Sequence, residues 1–359
     1  MEPEIHLYIL WENCKSDWDK ILYDIKEKFK VIKVFQVQWS QNYFLKNLER
    51  FYSINPQIAN QKVKHCGNGP FLLIIVEDQT PKYEKRKTSK GVQSVNINTF
   101  DAKRLYRSWT GGGHRIHGTN SPKEANHDLA LLLETDSDSF QTKNKNSWDG
   151  NVETLNGDLI GAKGWESLSQ LLFVLNHTVN YVILRNYDCI PEKYTMASHG
   201  DIDILTDNYK EFVLLTNAVK VFPQSYRIHH KINIAGENVF FDFRYVGDGY
   251  YDKNWEKDIL NNKKYHKKKF YIPNTEDFFY SLMYHALIHK RKVANDYKRR
   301  LSTLATEMNL PNISKQTFDN SLQMKIILDQ YMNQKNYRYI KPIDSSVFYN
   351  QKLLGEDQK

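Results

Sequence analysis

Apolar and polar positions along the chain fall into short alternating runs and helical repeats. Ile5 to Trp11 alternates and is rich in β-formers, which predicts a buried strand. Asp17 to Phe29 carries Ile21, Leu22, Ile25 and Phe29 at helical spacing, so one face of that helix is buried. Val31 to Trp39 reads as a second strand and Gln41 to Tyr52 as a second helix. Pro70 to Glu77 holds the unbroken run Phe71-Leu72-Leu73-Ile74-Ile75-Val76, the pattern of a central strand covered on both faces. Asp78 to Thr99 is polar, Lys-rich and aperiodic, which predicts a long loop. Lys123 to Leu133 is a helix with Ser121 at its N-cap, Pro122 at N1 and Glu124 closing a capping box. This order of elements predicts an α+β plait.

A polar, aperiodic stretch follows, and residues 136–155 are expected to be a linker after a first domain spanning 1–135. Leu159 to Asn176 predicts a helix leading into a strand at Asn180 to Leu184. A strand at Ile202 to Leu205, a helix at Tyr209 to Lys220 and strands at Tyr226 to Ile234 and Asn238 to Val246 complete a mixed α/β domain at 156–270. A helical cap is expected at 271–350, with Phe278, Leu282, His285 and His289 at helical spacing, and the chain frays from Gln351.

The composition supports packed cores in a chain of 359 residues, with 40% hydrophobic and 13% aromatic content. The net charge of +8 suits phosphate-rich partners such as nucleotides. The basic residues are mostly scattered, which argues against a nucleic-acid surface without excluding one. Cys14, Cys66 and Cys189 are odd in number and lack metal-like spacing, so neither a disulfide framework nor a zinc site is expected. No apolar run approaches the length of a membrane span, and the first residues lack a basic and apolar leader. A soluble protein of the cytoplasm is the expectation.

Chemistry concentrates at His199-Gly200-Asp201-Ile202-Asp203-Ile204-Leu205. On a strand, Asp201 and Asp203 share a face. Two adjacent carboxylates repel unless a cation lies between them, and Mg²⁺ is the simplest such cation. A third carboxylate, Asp242, stands in the aromatic strand pattern Val239-Phe240-Phe241-Asp242-Phe243-Arg244-Tyr245 and would permit a second ion. This arrangement resembles the nucleotidyltransferase superfamily of the DNA polymerase β type. The resemblance implies that Asp201, Asp203 and Asp242 are the metal ligands, that Asp242 serves as base, and that the donor is a nucleoside triphosphate. The family's Gly-Ser turn is replaced here by Arg185-Asn186-Tyr187, which makes Arg185 a candidate phosphate holder, together with a basic helix from Lys290 to Arg300. A variant of the same fold resembles the fukutin-like transferases, which implies a CDP-linked donor and a glycan or small-molecule acceptor. His285 and His289 lie one helical turn apart, and Tyr250 and Tyr251 follow Gly249; core packing is the simpler reading of both pairs.

A second candidate site lies at His114-Arg115-Ile116-His117-Gly118-Thr119-Asn120-Ser121. A histidine just before a helix N-terminus faces an anion-binding position and can attack a phosphoryl group. With Ala125, Asp128 and the Gly69-Pro70 strand start, this segment resembles nucleoside diphosphate kinase over residues 4–134. The resemblance implies phosphorylation at His117, orientation by Asp128, a hydroxyl at Thr119, phosphate contact by Arg104 and a homo-oligomer. The family's Lys-Pro-Asp at the end of the first strand reads Trp11-Glu12-Asn13 here. Three functions therefore stand open: a Mg²⁺-dependent nucleotidyltransferase-type enzyme, a kinase-like phosphotransferase through phospho-His117, and a nucleotide-sensing protein without turnover.

Overall fold

The computed structural model describes residues 2–89, 91–194, 200–310, 313 and 315–355. His199 of the carboxylate motif lies outside the described residues. The chain divides into two compact units, Met1–Trp165 and one beginning at Glu166. Both mix helices with sheets.

In the first unit the elements are β1 (Glu4–Leu10), α1 (Trp18–Lys28), β2 (Lys30–Gln38), α2 (Gln41–Tyr52), α3 (Pro56–Cys66), β3 (Phe71–Asp78), β4 (Tyr83–Thr88), β5 (Gly91–Asn96), α4 (Ile97–Trp109), β6 (Ile116–Gly118), α5 (Pro122–Leu133), α6 (Ser137–Lys143) and β7 (Glu153–Asn156). A five-stranded sheet runs in the order β6-β1-β3-β2-β7. β3 lies at its centre and is buried along its whole length, as its unbroken apolar run requires. Ile21 and Ile25 of α1 and Ala102 and Tyr106 of α4 pack with Tyr8, Leu10, Val34, Ile74 and Ile116 in one core. On α5, Ser121 accepts a hydrogen bond from the Glu124 amide, and Glu124 reaches back to the amide of Asn120. This cap fixes where the helix starts, one strand-turn beyond His117.

Two expectations change here. The Lys-rich stretch 78–99 is not a loop throughout: β4 and β5 form an antiparallel hairpin, and α4 starts at Ile97. Their solvated faces carry the lysines, so no apolar periodicity betrays them. The segment 136–155 is no linker either. α6 buries Phe140, and β7 pairs parallel with β2, placing Leu155 opposite Val37. Beyond it, Asp158 accepts hydrogen bonds from Ser40 and Asn47, so the first unit runs on to Trp165.

The second unit contains α7 (Leu168–Thr178), β8 (Tyr181–Ile183), β9 (Ile202–Thr206), α8 (Tyr209–Thr216), β10 (Val219–Lys220), β11 (His229–Ile234), β12 (Glu237–Tyr245), α9 (Lys253–Asn261), β13 (Lys264–His266), β14 (Phe270–Ile272), α10 (Thr275–Ile288), α11 (Asn295–Glu307), α12 (Ser321–Lys335) and α13 (Gln351–Leu354). Its sheet runs β10-β11-β12-β9-β8. Only β9 and β12 pair parallel; the other neighbours are antiparallel. α10 is buried over most of its length, and Trp255, Tyr251, Tyr284 and Tyr331 pack around it as an aromatic core. The helices expected as a separate cap therefore belong to the same unit as the sheet. No described helix is long and apolar enough to cross a membrane.

Candidate functional site

β9 and β12 converge on the carboxylates. Asp203, the second residue of β9, is the register partner of Asp242 on β12. Partners on adjacent strands project from the same face, and Asp201 shares that face two residues earlier. Gly200, at φ +80°, turns the chain into the strand. Three acidic groups thus meet at one place on the sheet. Burial and then the charge of Asp203 push the Asp242 carboxyl up to about 7. The same two causes raise Asp201.

Asp203 is already neutralised. The Arg185 guanidinium donates through Nη2 to Asp203 Oδ1 at 2.5 Å and to the Tyr250 hydroxyl at 3.0 Å. Burial alone would weaken the hold of Arg185 on its proton, but the Asp203 charge outweighs it and keeps the group firmly cationic. Tyr250 in turn meets His285 Nδ1 at 2.5 Å, and His285 Nε2 meets the Tyr297 hydroxyl at 3.1 Å. Arg185 is therefore braced by α10 and α11 against Asp203, and is not free to hold phosphate as the sequence suggested.

The partner that converges with Asp201 and Asp242 is His229 on β11. It is the register partner of Asp242 on the other side of β12. One ligand atom from each of Asp201, His229 and Asp242 lies within 4.8 Å of the others. His229 Nε2 is 3.4 Å from Asp242 Oδ1, yet that oxygen is buried with no hydrogen-bond partner. Burial, and then Arg227, lowers the pKa of the imidazole. A buried carboxylate oxygen without a donor, beside an imidazole and a second carboxylate, is a donor set that fits a divalent cation.

The other residues singled out around this site fall elsewhere. α10 ends at Ile288 and α11 begins at Asn295, so the basic helix expected from Lys290 to Arg300 is broken. Lys290 is exposed in the intervening turn. Arg300 does approach, donating to Asn186 Oδ1 at 2.8 Å. Both nitrogens of His285 are engaged by tyrosines, and Tyr250 and Tyr251 are core residues. Two open pockets of about 430 and 460 Å³, both lined in part by Lys253, include none of the three carboxylates.

In the first unit, His117 on β6 and Asp128 on α5 meet as expected. His117 Nε2 is 2.7 Å from Asp128 Oδ2, and His127 Nδ1 is 3.0 Å from the other oxygen. Burial raises the Asp128 carboxyl, but the two imidazoles outweigh it and hold the group below its usual range. With Nε2 engaged, Nδ1 of His117 is the nitrogen left for chemistry. Phe51 and Tyr52 stand edge-on to the His117 ring at 5.3 and 5.5 Å.

Thr119 and Arg104, also singled out in this unit, make no hydrogen bond with His117 among the described residues. Thr119 turns away from His117: its hydroxyl meets His6 Nδ1 and accepts from the Leu7 amide, both at 3.0 Å. Strand alternation between residues 117 and 119 is interrupted at the end of β6, so sequence spacing misplaces it. Arg104 is exposed on α4. One turn on, Arg107 donates to the Ile116 carbonyl at 3.0 Å, and its charge acts on Tyr52 and His114. Trp11 lies in an aromatic core with Phe71 and Trp39, while Glu12 accepts from the amides of Asn68 and Gly69. From α3, Lys62 Nζ lies 3.8 Å from the Tyr52 ring, which itself stands against His117, and burial lowers the Lys62 pKa to about 8.

No family model matches the chain, and no curated protein matches it. Among solved structures, the chain is similar to the nucleoside diphosphate kinase of Aquifex aeolicus, at 17% identity over 35% of this chain and 92% of that one, with a TM-score of 0.25. A likeness at that TM-score is too slight to carry an argument.

Proposed function

We propose that the second unit is a divalent-metal-dependent transferase of phosphorus-containing groups, moving a nucleotidyl or substituted-phosphoryl group from a nucleotide donor to a small-molecule or glycan acceptor. The observation that carries this reading is the meeting of Asp201, Asp203 and Asp242 on two parallel strands, with an unpartnered buried oxygen on Asp242. A divalent ion bound there would neutralise the carboxylates and orient the donor's phosphates. Asp201 and Asp242 would hold that ion, while the Arg185–Tyr250–His285 chain keeps Asp203 and the strand end in place. Preorganisation of this kind is what a phosphoryl-transfer site requires, because little covalent chemistry falls to the protein. Either a nucleoside triphosphate or a CDP-linked alcohol fits this chemistry.

The test is a label-transfer assay on the full chain with Mg²⁺ or Mn²⁺, using α-labelled ATP, γ-labelled ATP and labelled CDP-alcohols in parallel. Transfer from the α position or from a CDP donor is expected, falling at least ~10²-fold in Asp242→Asn. Equal transfer by the variant overturns the reading. A second reading is favoured by the His117–Asp128 contact, which orients an imidazole as a phospho-acceptor site would. It predicts acid-labile label from γ-ATP that is lost in His117→Ala.

A further inference from the structure

We infer that the cation of the second unit is bound by Asp201, Asp242 and the imidazole of His229, with Asp203 excluded, and that it is a first-row transition-metal ion such as Mn²⁺ or Zn²⁺ in preference to Mg²⁺. The purpose of such an ion rests on the transfer reading above; the ligand set stands on geometry.

Three atoms, one from each residue, lie within 4.8 Å of one another. Ligand atoms about 2.1 Å from a shared ion, at angles of about 90 to 110°, are about 3.0 to 3.4 Å apart. The 3.4 Å between His229 Nε2 and Asp242 Oδ1 falls in that interval, and Asp242 Oδ1 takes no hydrogen bond across the gap. Two groups facing each other at this distance without a bond are arranged as two acceptors sharing something between them. Asp203 cannot join them on the same terms. Its Oδ1 is bonded to a buried guanidinium, whose charge repels a cation at that oxygen.

The surroundings of His229 point the same way. Asp344 is 2% exposed, and its Oδ2 lies 3.7 Å from Arg227 Nε without a hydrogen bond. Its charge acts on His229, whose Nδ1 is likewise buried without a partner. An imidazole in the set moves selectivity away from Mg²⁺, which takes oxygen ligands, and towards Mn²⁺, Co²⁺ or Zn²⁺.

The experiment uses the purified full chain, stripped by chelator and loaded with one equivalent of Mn²⁺, read by pulsed electron paramagnetic resonance. A ¹⁴N modulation from a coordinated imidazole is expected, replaced by the ¹⁵N pattern when histidine is ¹⁵N-labelled, which needs no variant. His229→Gln should remove the nitrogen signal and weaken Mn²⁺ binding about tenfold or more. Asp203→Asn should keep the signal, and Mg²⁺ should displace Mn²⁺ only at large excess. Mn²⁺ bound without nitrogen coupling, loss of the signal in Asp203→Asn, or no binding at all overturns the assignment. A nitrogen-ligated ion with no transfer from any nucleotide donor would keep this ligand set and overturn the transfer reading; transfer without nitrogen ligation would do the reverse.

Discussion

Each unit sets an aspartate beside a histidine, and the two pairs behave in opposite ways. Asp128 has an imidazole on each oxygen, at 2.7 and 3.0 Å, and its proton affinity falls despite its burial. Asp242 has an imidazole at 3.4 Å that makes no hydrogen bond, with Asp203 and Asp201 close by, and its proton affinity rises to about 7. The residue types are the same. What differs is the number of like charges and whether the lone pairs are used. Asp128 is complete within the protein and orients a neighbour. Asp242 is incomplete without something positive, and that makes it the better candidate for binding an external ion.

The comparison can be broken at several points. The largest effect is expected at Arg185, which prevents Asp203 from adding a third unpaired charge. Arg185→Met leaves that carboxylate buried and uncompensated, and chemical denaturation should show a loss of ~3–5 kcal/mol in the second unit. Unchanged stability would mean that solvent already screens Asp203. Asp128→Asn should cost less, ~1–3 kcal/mol in the first unit, by weakening two charge-assisted hydrogen bonds. Asp242→Asn should leave the metal-free protein as stable or more so, because it removes a repulsion.

The pH dependences of the two units should also run in opposite directions. The folded pKa of Asp128 is depressed, so its contribution is fully present above the ordinary carboxylate value of 3.8 and is lost as pH falls through the lower folded value. In the second unit, burial and then the Asp248 charge push Glu256 up to about 9. A raised pKa gives a contribution that is full below 4.5 and is lost as pH rises towards 9. Thermal melts should therefore show the second unit weakening between pH 6 and 9, and Glu256→Gln should flatten that slope. The smallest effect is expected at Arg104, which is exposed: Arg104→Ala should change stability by no more than about 0.5 kcal/mol and leave any labelling of His117 intact.

Much of both sites was legible because period-two and helical patterns carry direction. Asp201 and Asp203 sit two apart in an apolar run, Asp242 stands inside an aromatic strand, and the capping residues around Ser121 mark where α5 starts and so bring Asp128 to His117. His229 was missed because its strand carries no sign of chemistry. Its place follows from register alone: the hairpin turns at Ala235 and Gly236, both at positive φ, and counting back from Ile234 opposite Glu237 sets His229 opposite Asp242. An Ala-Gly turn is a weak signal beside Asn-Gly, so the register could not be fixed from sequence. Arg185 was assigned to phosphate because nothing in the sequence shows that Tyr250 and His285, far along the chain, clamp it onto Asp203. Thr119 lies just past the end of β6, where strand alternation no longer sets a side chain's direction.

The central claim is that Asp242 requires a cation and Asp128 does not. Calorimetric titration of Mn²⁺ into the chelator-stripped full chain tests it most directly. Binding is expected in the wild type and in Asp128→Asn with equal affinity, and no binding in Asp242→Asn. Equal binding by Asp242→Asn, or loss of binding in Asp128→Asn, would contradict the account.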